Sequence, residues 1–164
     1  MAGINHLRQV KEKKGDDFLN NLLNNYVIIN KKTEGTFFGM RKDKKTDSLK
    51  YFKKAGIEDK IEQHIGNAME IIPTINLTWD LVFIDADKEN YSNYFDLVID
   101  KMSIGSFLVA DNVLWSGKVV EPLSEKDSET KEIIKFNDKI HQSDRVENVL
   151  MPIRDGLMVC RKIK

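Results

Sequence analysis

Several things are scarce in this 164-residue chain, and each scarcity excludes something. There is one cysteine, Cys160, so no internal disulfide can form, and a lone thiol fits a reducing, cytoplasmic setting. There is no net charge, because 26 Lys and Arg balance 26 Asp and Glu. A nucleic-acid scaffold or a polybasic membrane binder needs a strong positive bias, and this chain has none. No apolar run approaches the roughly 20 residues of a membrane span, and the first residues lack the apolar stretch of a signal peptide. Internal repeats and low-complexity tracts are also missing. What remains is a length suited to one domain and a hydrophobic fraction of 41%, enough for a core.

The order of elements is legible from periodicity. Phe18, Leu19, Leu22, Leu23 and Tyr26 recur at helical spacing behind Asp16 and Asp17, which favour a helix start. Val27-Ile28-Ile29 reads as a short buried strand. A polar, lysine-rich stretch from Lys31 to Lys45 follows, interrupted by Gly35-Thr36-Phe37-Phe38-Gly39. Thr46 or Asp47 can cap a helix carrying Leu49, Phe52 and Ala55, with Gly56 placed to end it. Lys60 to Ile65 reads as a strand, and Ala68 to Ile72 as a short helix stopped by Pro73. Leu81-Val82-Phe83-Ile84 is a continuous apolar run, as a central parallel strand requires. Tyr91, Tyr94, Phe95, Val98, Ile99 and Met102 keep helical spacing, and Ser106 to Val113 is another buried strand. A helix over Glu129–His141 precedes strands at Val146–Ile153 and Leu157–Arg161, joined by the turn Arg154-Asp155-Gly156. The alternation predicts an α/β fold: a mostly parallel sheet, helices on both faces, and a C-terminal antiparallel hairpin.

In such a sheet, ligands gather beyond the carboxyl ends of the strands. Two acidic clusters fall there, Asp85-Ala86-Asp87-Lys88 and Asp111-Asn112. If the two strands are neighbours, Asp85 and Asp111 lie about 5 Å apart at the backbone. Two carboxylates that close call for a cation or a shared proton. With the amide oxygen of Asn112 they make a hard oxygen set suited to Mg²⁺. Each Asp could equally cap the helix that follows it. Lys88, three residues past Asp85, can serve as a base beside a metal or stand as a solvated lysine. Trp115 can wall a planar substrate or pack under a lid. His6, His64 and His141 show no ligand spacing.

The segments Asp80-Leu81-Val82-Phe83-Ile84-Asp85-Ala86-Asp87-Lys88-Glu89-Asn90-Tyr91 and Val109-Ala110-Asp111-Asn112-Val113-Leu114-Trp115-Ser116-Gly117-Lys118-Val119 carry a resemblance. They are similar to the caffeoyl-CoA and catechol O-methyltransferase family, as is the closing stretch from Arg145 to Leu157. The resemblance runs from about Thr46 to the C-terminus. It implies a Rossmann-like class I methyltransferase fold and a single domain over 1–164, divergent and shortened over 1–45 and family-like over 46–164. It further implies S-adenosyl-L-methionine as methyl donor and a divalent metal, Mg²⁺, held by Asp85, Asp111 and Asn112. Lys88 would take the proton from the acceptor hydroxyl, and Trp115 would line the pocket of a small, catechol-like aromatic substrate. Gly66, Asn67 and Ala68 match the place where the family contacts the cofactor's adenine, and Asp85 and Asp87 lie near the expected cofactor position. Gly35 and Gly39 keep the separation of the family's glycine-rich loop.

The region before Thr46 departs from that pattern. Thr33 stands at the expected acidic position, Met40-Arg41 replaces a Tyr-Ser pair, and no residue can be given the ribose-binding role. The sheet is expected to lack one βα unit, with Val27–Ile29 beside Lys60–Ile65, and to leave an apolar edge that favours a homodimer. Three functions follow for comparison. One is an active O-methyltransferase on a small aromatic hydroxyl. Another is a non-catalytic remnant that binds metal or dimerises. The third, a nucleic-acid enzyme using Arg41-Lys42-Asp43-Lys44-Lys45, conflicts with the neutral charge.

Overall fold

The structure is a computed structural model. It describes residues 51–56, 58, 62, 64, 66–124 and 127–164, and the backbone of three short strands at 26–30, 36–37 and 40–41. In chain order the elements are β1 (Tyr26–Asn30), β2 (Thr36–Phe37), β3 (Met40–Arg41), α1 (Ala68–Thr74), β4 (Trp79–Asp85), α2 (Tyr91–Ile99), β5 (Met102–Asp111), α3 (Ser128–Gln142), β6 (Val146–Met151) and β7 (Leu157–Lys162). A 3₁₀ segment at Lys88–Asn90 follows the end of β4, and two short 3₁₀ turns within Trp115–Val120, broken by a kink at Ser116 and Gly117, follow β5.

Five strands form one sheet in the order β1-β4-β5-β7-β6. β1, β4 and β5 run parallel, while β7 is antiparallel to both β5 and β6, so β7 alone among the five is reversed. This is the mostly parallel sheet with a terminal hairpin that the sequence predicts. The neighbour expected for β1 at Lys60–Ile65 falls largely outside the described residues. Glu62 and His64, which are described, are not in a strand; His64 Nε2 lies 3.0 Å from a Glu62 carboxylate oxygen.

Parallel register decides which residues share a face. Val82 pairs with Leu108 and Ile84 with Ala110, and Leu108 and Ala110 pair in turn with Cys160 and Met158. All six are buried and form one core with Tyr91, Phe95 and Val98 of α2 and Ile133, Phe136 and Ile140 of α3. The two helices meet through an edge-on contact of Tyr91 with Phe136, centroids 5.4 Å apart. Successive strand residues alternate between faces, so Asp85 and Asp111 both point to the face opposite this row.

Some boundaries differ from the sequence reading, each for a local reason. Met102 starts β5 instead of ending α2, because Lys101 N–H bonds back to Val98 and the helix closes there. β5 stops at Asp111, since Asn112 turns to φ 61. Pro73 lies inside α1 instead of stopping it; it falls in the last turn, where the missing N–H costs only one intrahelical bond. Residues 51–55 are helical and Gly56, at φ +65, ends that turn as expected, whereas the cap at Thr46 or Asp47 and the helix over 16–26 lie outside the described residues, apart from Tyr26, which begins β1.

Candidate functional site

β4 and β5 end side by side. Ile84 pairs with Ala110, so the next residues, Asp85 and Asp111, emerge as neighbours from parallel strands about 5 Å apart, on one face. The chain after β4 turns at Asp87 into the 3₁₀ segment Lys88–Asn90 and then α2. This brings Lys88 back over the ends of both strands, where it is only 4% exposed. Its Nζ donates to the main-chain oxygen of Asp111 at 3.1 Å and to Oδ1 of Asn112 at 3.3 Å. The ammonium also lies 4.2 Å from the Tyr91 ring centroid and 5.5 Å from that of Trp115. Lys88 is therefore not a solvated surface lysine.

Tyr91 holds this arrangement from below. The sequence reading saw it only as a core position of a helix, but a buried tyrosine in place of phenylalanine must pair its hydroxyl, and that is the signal. Its Oη donates to the Asp111 carbonyl at 2.9 Å and accepts from Lys88 Nζ. Burial first, then the nearby Asp85 carboxylate and more weakly those of Asp111 and Asp87, push its ionisation well above the ordinary phenol range.

Past β5 the backbone takes an unusual path. Asn112, Trp115 and Ser116 all have positive φ, at 61, 50 and 56°. Asparagine tolerates that region, but for tryptophan and serine it costs on the order of 1–2 kcal/mol each. The hairpin turn between β6 and β7 lies against this loop: Val113 N–H bonds to Gly156 O at 3.2 Å and Leu114 N–H to Asp155 O at 2.9 Å. Trp115 Nε1 is buried without a hydrogen-bond partner among the described residues.

The other expected residues divide. Asp87 accepts from Tyr94 Oη at 2.7 Å and from the Asn90 amide, so its carboxylate closes the turn into α2. Asn67 caps α1, its Oδ1 accepting from Met69 N–H at 3.1 Å and its amide donating to Glu70 at 3.0 Å. Gly66 precedes it at φ 149, and Ala68 is buried. Gly35 and Gly39 lie outside the described residues. The strands next to them pair antiparallel, Thr36 with Arg41 and Phe37 with Met40, which is a tight hairpin where the glycine-rich loop leads into a helix in the pattern it resembles.

Two carboxylates and an amide oxygen at adjoining strand ends have the hard-donor chemistry of a Mg²⁺ or Mn²⁺ site that leaves positions open to other oxygens. Among the described residues no three His, Cys, Asp or Glu side chains gather at one point, so any such site rests on these two carboxylates with the Asn112 amide.

The model of the O-methyltransferase family matches residues 30–163. The chain belongs to that family. The match begins ahead of residue 46, at the last residue of β1, and so takes in the β2–β3 hairpin. Caffeoyl-CoA O-methyltransferase 2 of Populus trichocarpa is 32% identical over 130 residues, covering 71% of this chain and 51% of that protein. Caffeoyl-CoA O-methyltransferase 1 of Arabidopsis thaliana is 33% identical over 129 residues, covering 70% and 49%. The chain thus spans about half the length of the curated relatives it matches. Among solved structures, an SAH-bound methyltransferase from Podospora anserina superposes with a TM-score of 0.63 at 25% identity, over 73% of this chain and 56% of that one. An O-methyltransferase from Bacillus cereus in complex with SAH gives 0.69 at 19% identity over 99% and 91%, which speaks for the fold. Among the described residues no helix is long and apolar enough to cross a membrane.

Proposed function

We propose that this O-methyltransferase family member transfers the sulfonium methyl group of S-adenosyl-L-methionine to a hydroxyl of a small, catechol-like aromatic, assisted by a divalent cation. The observation that carries the reading is the convergence of Lys88, Asp111 and Asn112, with Asp85 on the adjoining strand end, in a chain of this family. Asp85, Asp111 and Asn112 would hold the cation, which supplies polarisation of neighbouring acceptor oxygens when bound. Lys88 is placed to take the proton of the reacting hydroxyl once it has given up one of the protons it donates to Tyr91 Oη, the Asp111 main-chain oxygen and Asn112 Oδ1. Its burial between the Tyr91 and Trp115 rings fixes where Nζ stands. Trp115 offers a flat wall to the acceptor. Close alignment of donor and acceptor then supplies much of the acceleration. The relatives' printed name, caffeoyl-CoA O-methyltransferase, supports an aromatic acyl-CoA type of acceptor, and the SAH-bound relative from Podospora anserina supports the methyl donor.

The β2–β3 hairpin at the glycine pair favours a second reading, a family member that keeps the cation site but binds the methyl donor weakly. Titration of purified protein with S-adenosylhomocysteine in the presence of Mg²⁺ separates the two. Low-micromolar affinity, with methyl transfer to a catechol that excess chelator abolishes, supports the enzyme. Transfer that survives the chelator refutes metal assistance. Pairing with a second copy is part of the proposal, supported by the exposed Val149, Leu150 and Met151 on the edge strand β6, and sedimentation tests it.

A further inference from the structure

The turn Arg154-Asp155-Gly156 reads in the sequence as nothing more than a link between two strands. In the structure it reaches across to the loop that carries Asn112 and Trp115. The Asp155 carboxylate does two things there. One oxygen accepts from the main-chain N–H of Ser116, and the other lies 3.4 Å from Nδ2 of Asn112. Asn112 is thereby placed between opposite charges. Its amide nitrogen faces a carboxylate, and its amide oxygen faces the Lys88 ammonium at 3.3 Å. An amide has one acceptor end and one donor end, so this environment admits one of the two flips and disfavours the other. The flip it selects turns Oδ1 toward the ends of β4 and β5.

The same turn also holds the strained backbone. Ser116, at φ 56 and ψ 30, has its N–H on Asp155, and Gly117 follows at φ 82. Strained residues persist only where their surroundings over-determine them. Here the determinants are the Asp155 carboxylate, the Asp155 carbonyl on Leu114 N–H and the Gly156 carbonyl on Val113 N–H. Gly156 makes the approach possible: a Cβ there would lie 2.6 Å from Leu114 Cγ and 3.1 Å from Leu114 N, and its φ of +81 suits glycine.

We propose that Asp155 is a positioning residue for the candidate site, fixing the amide of Asn112 with its oxygen toward the strand ends and holding the Trp115 loop in its left-handed path. Its consequence for cation binding rests on the function proposed above, while its consequence for the loop does not. A carboxylate that orients a ligand residue typically changes metal affinity by about 10- to 100-fold when removed.

The test uses Asp155→Ala and Asp155→Asn, with amide exchange and Asn side-chain resonances in ¹⁵N-labelled protein, and Mn²⁺ binding followed by its spin-resonance signal. In Asp155→Ala the Ser116 amide should exchange roughly tenfold faster or more, since it loses a charge-assisted bond. The Leu114 amide, which bonds to the main-chain oxygen of residue 155, should keep its protection, and the Asn112 side-chain amide should shift. Mn²⁺ affinity should fall about tenfold or more in Asp155→Ala. It should fall less in Asp155→Asn, whose single remaining acceptor can serve only one of the two donors. Equal loss of protection at Leu114 and Ser116, with Mn²⁺ affinity unchanged, would make Asp155 an ordinary turn residue and overturn the proposal. So would an unchanged Ser116 amide. Should the unaltered protein bind no Mn²⁺, the metal reading fails separately, and the exchange and side-chain results alone decide for or against Asp155. If the alanine variant does not fold, the asparagine variant carries the same comparison.

Discussion

Two lysines are buried among the described residues, Lys88 and Lys162, and they sit at opposite ends of the sheet. Lys162, at the end of β7, donates to the main-chain oxygens of Ile99 and Met102, both at 2.8 Å. Those carbonyls close α2 and open β5, and a cation at a helix C-terminus satisfies groups the helix itself cannot. Lys88 donates to the main-chain oxygen of Asp111, and side chains also surround it: Asn112, Tyr91 and the ring of Trp115. A carbonyl fixed by the backbone commits an ammonium to structure. Side chains that can also face a ligand leave it chemistry to do. Burial alone does not distinguish the two lysines; the identity of their partners does.

Replacing each lysine by alanine breaks the comparison most directly, and the larger effect belongs to Lys88. If it is the base, Lys88→Ala should lower turnover by about 10²- to 10⁴-fold, with KM little changed, in steady-state methyl transfer. The fold should lose little, because the Asp111 carbonyl still accepts from Tyr91 Oη. Lys162→Ala should do the reverse. It strands two carbonyls, and at about 1–3 kcal/mol for each unsatisfied group it should cost roughly 2–6 kcal/mol in denaturant unfolding. Turnover per folded molecule should stay unchanged. A drop in turnover for Lys162→Ala as large as that for Lys88→Ala would erase the distinction.

The two ends of the sheet were not equally legible in the sequence. At the far end the apolar runs of β4 and β5 and the stripe of α2 name the core, and periodicity suffices because burial is the only demand. Even so, the strand reading stopped at Arg161, one residue short of Lys162, since a lysine is not expected inside. At the site end, strand ends and a matched motif both single out Asp85, Lys88, Asp111 and Asn112, and what the structure adds is that Lys88 reaches Asp111 and Asn112. Tyr91 and Asp155 were not legible. Each acts through a hydroxyl or carboxylate whose partner lies 20 or 39 residues away, and no local pattern encodes that distance. The family's glycine loop was legible as a spacing, yet spacing does not fix backbone direction, and the adjoining residues pair as a hairpin.

Tyr91→Phe sharpens the comparison at smaller scale, since it keeps the ring and its contact with Phe136 and removes only the hydroxyl. The Asp111 carbonyl would retain Lys88 as its donor. The expected cost is about 1 kcal/mol in unfolding, near the net value of one hydrogen bond. A cost approaching that of Lys162→Ala would show that Lys88 does not satisfy the carbonyl, and that the site end depends on Tyr91 as the far end does on Lys162.

Cys160 supplies the reference for burial without a partner. It lies in mid-strand, opposite Leu108 on one side and Asn148 on the other, and burial alone pushes its thiol up to about 12 from an ordinary value of 9.0. Because the folded value is raised, the associated stability is fully present below the unfolded pKa. It is lost as pH rises from about 9 toward 12, where the unfolded chain gives up the proton and the folded chain keeps it. Alanine at this position removes the titration but leaves the other titrating groups in place, so the difference between the two proteins isolates the thiol. Whatever advantage the native residue holds over Cys160→Ala at pH 7 should shrink by about 1 kcal/mol at pH 10, measured by urea unfolding at each pH. A difference that does not change with pH would mean that the thiol ionises in place, and that burial in mid-sheet is less dry than the two lysines' dependence on specific partners implies.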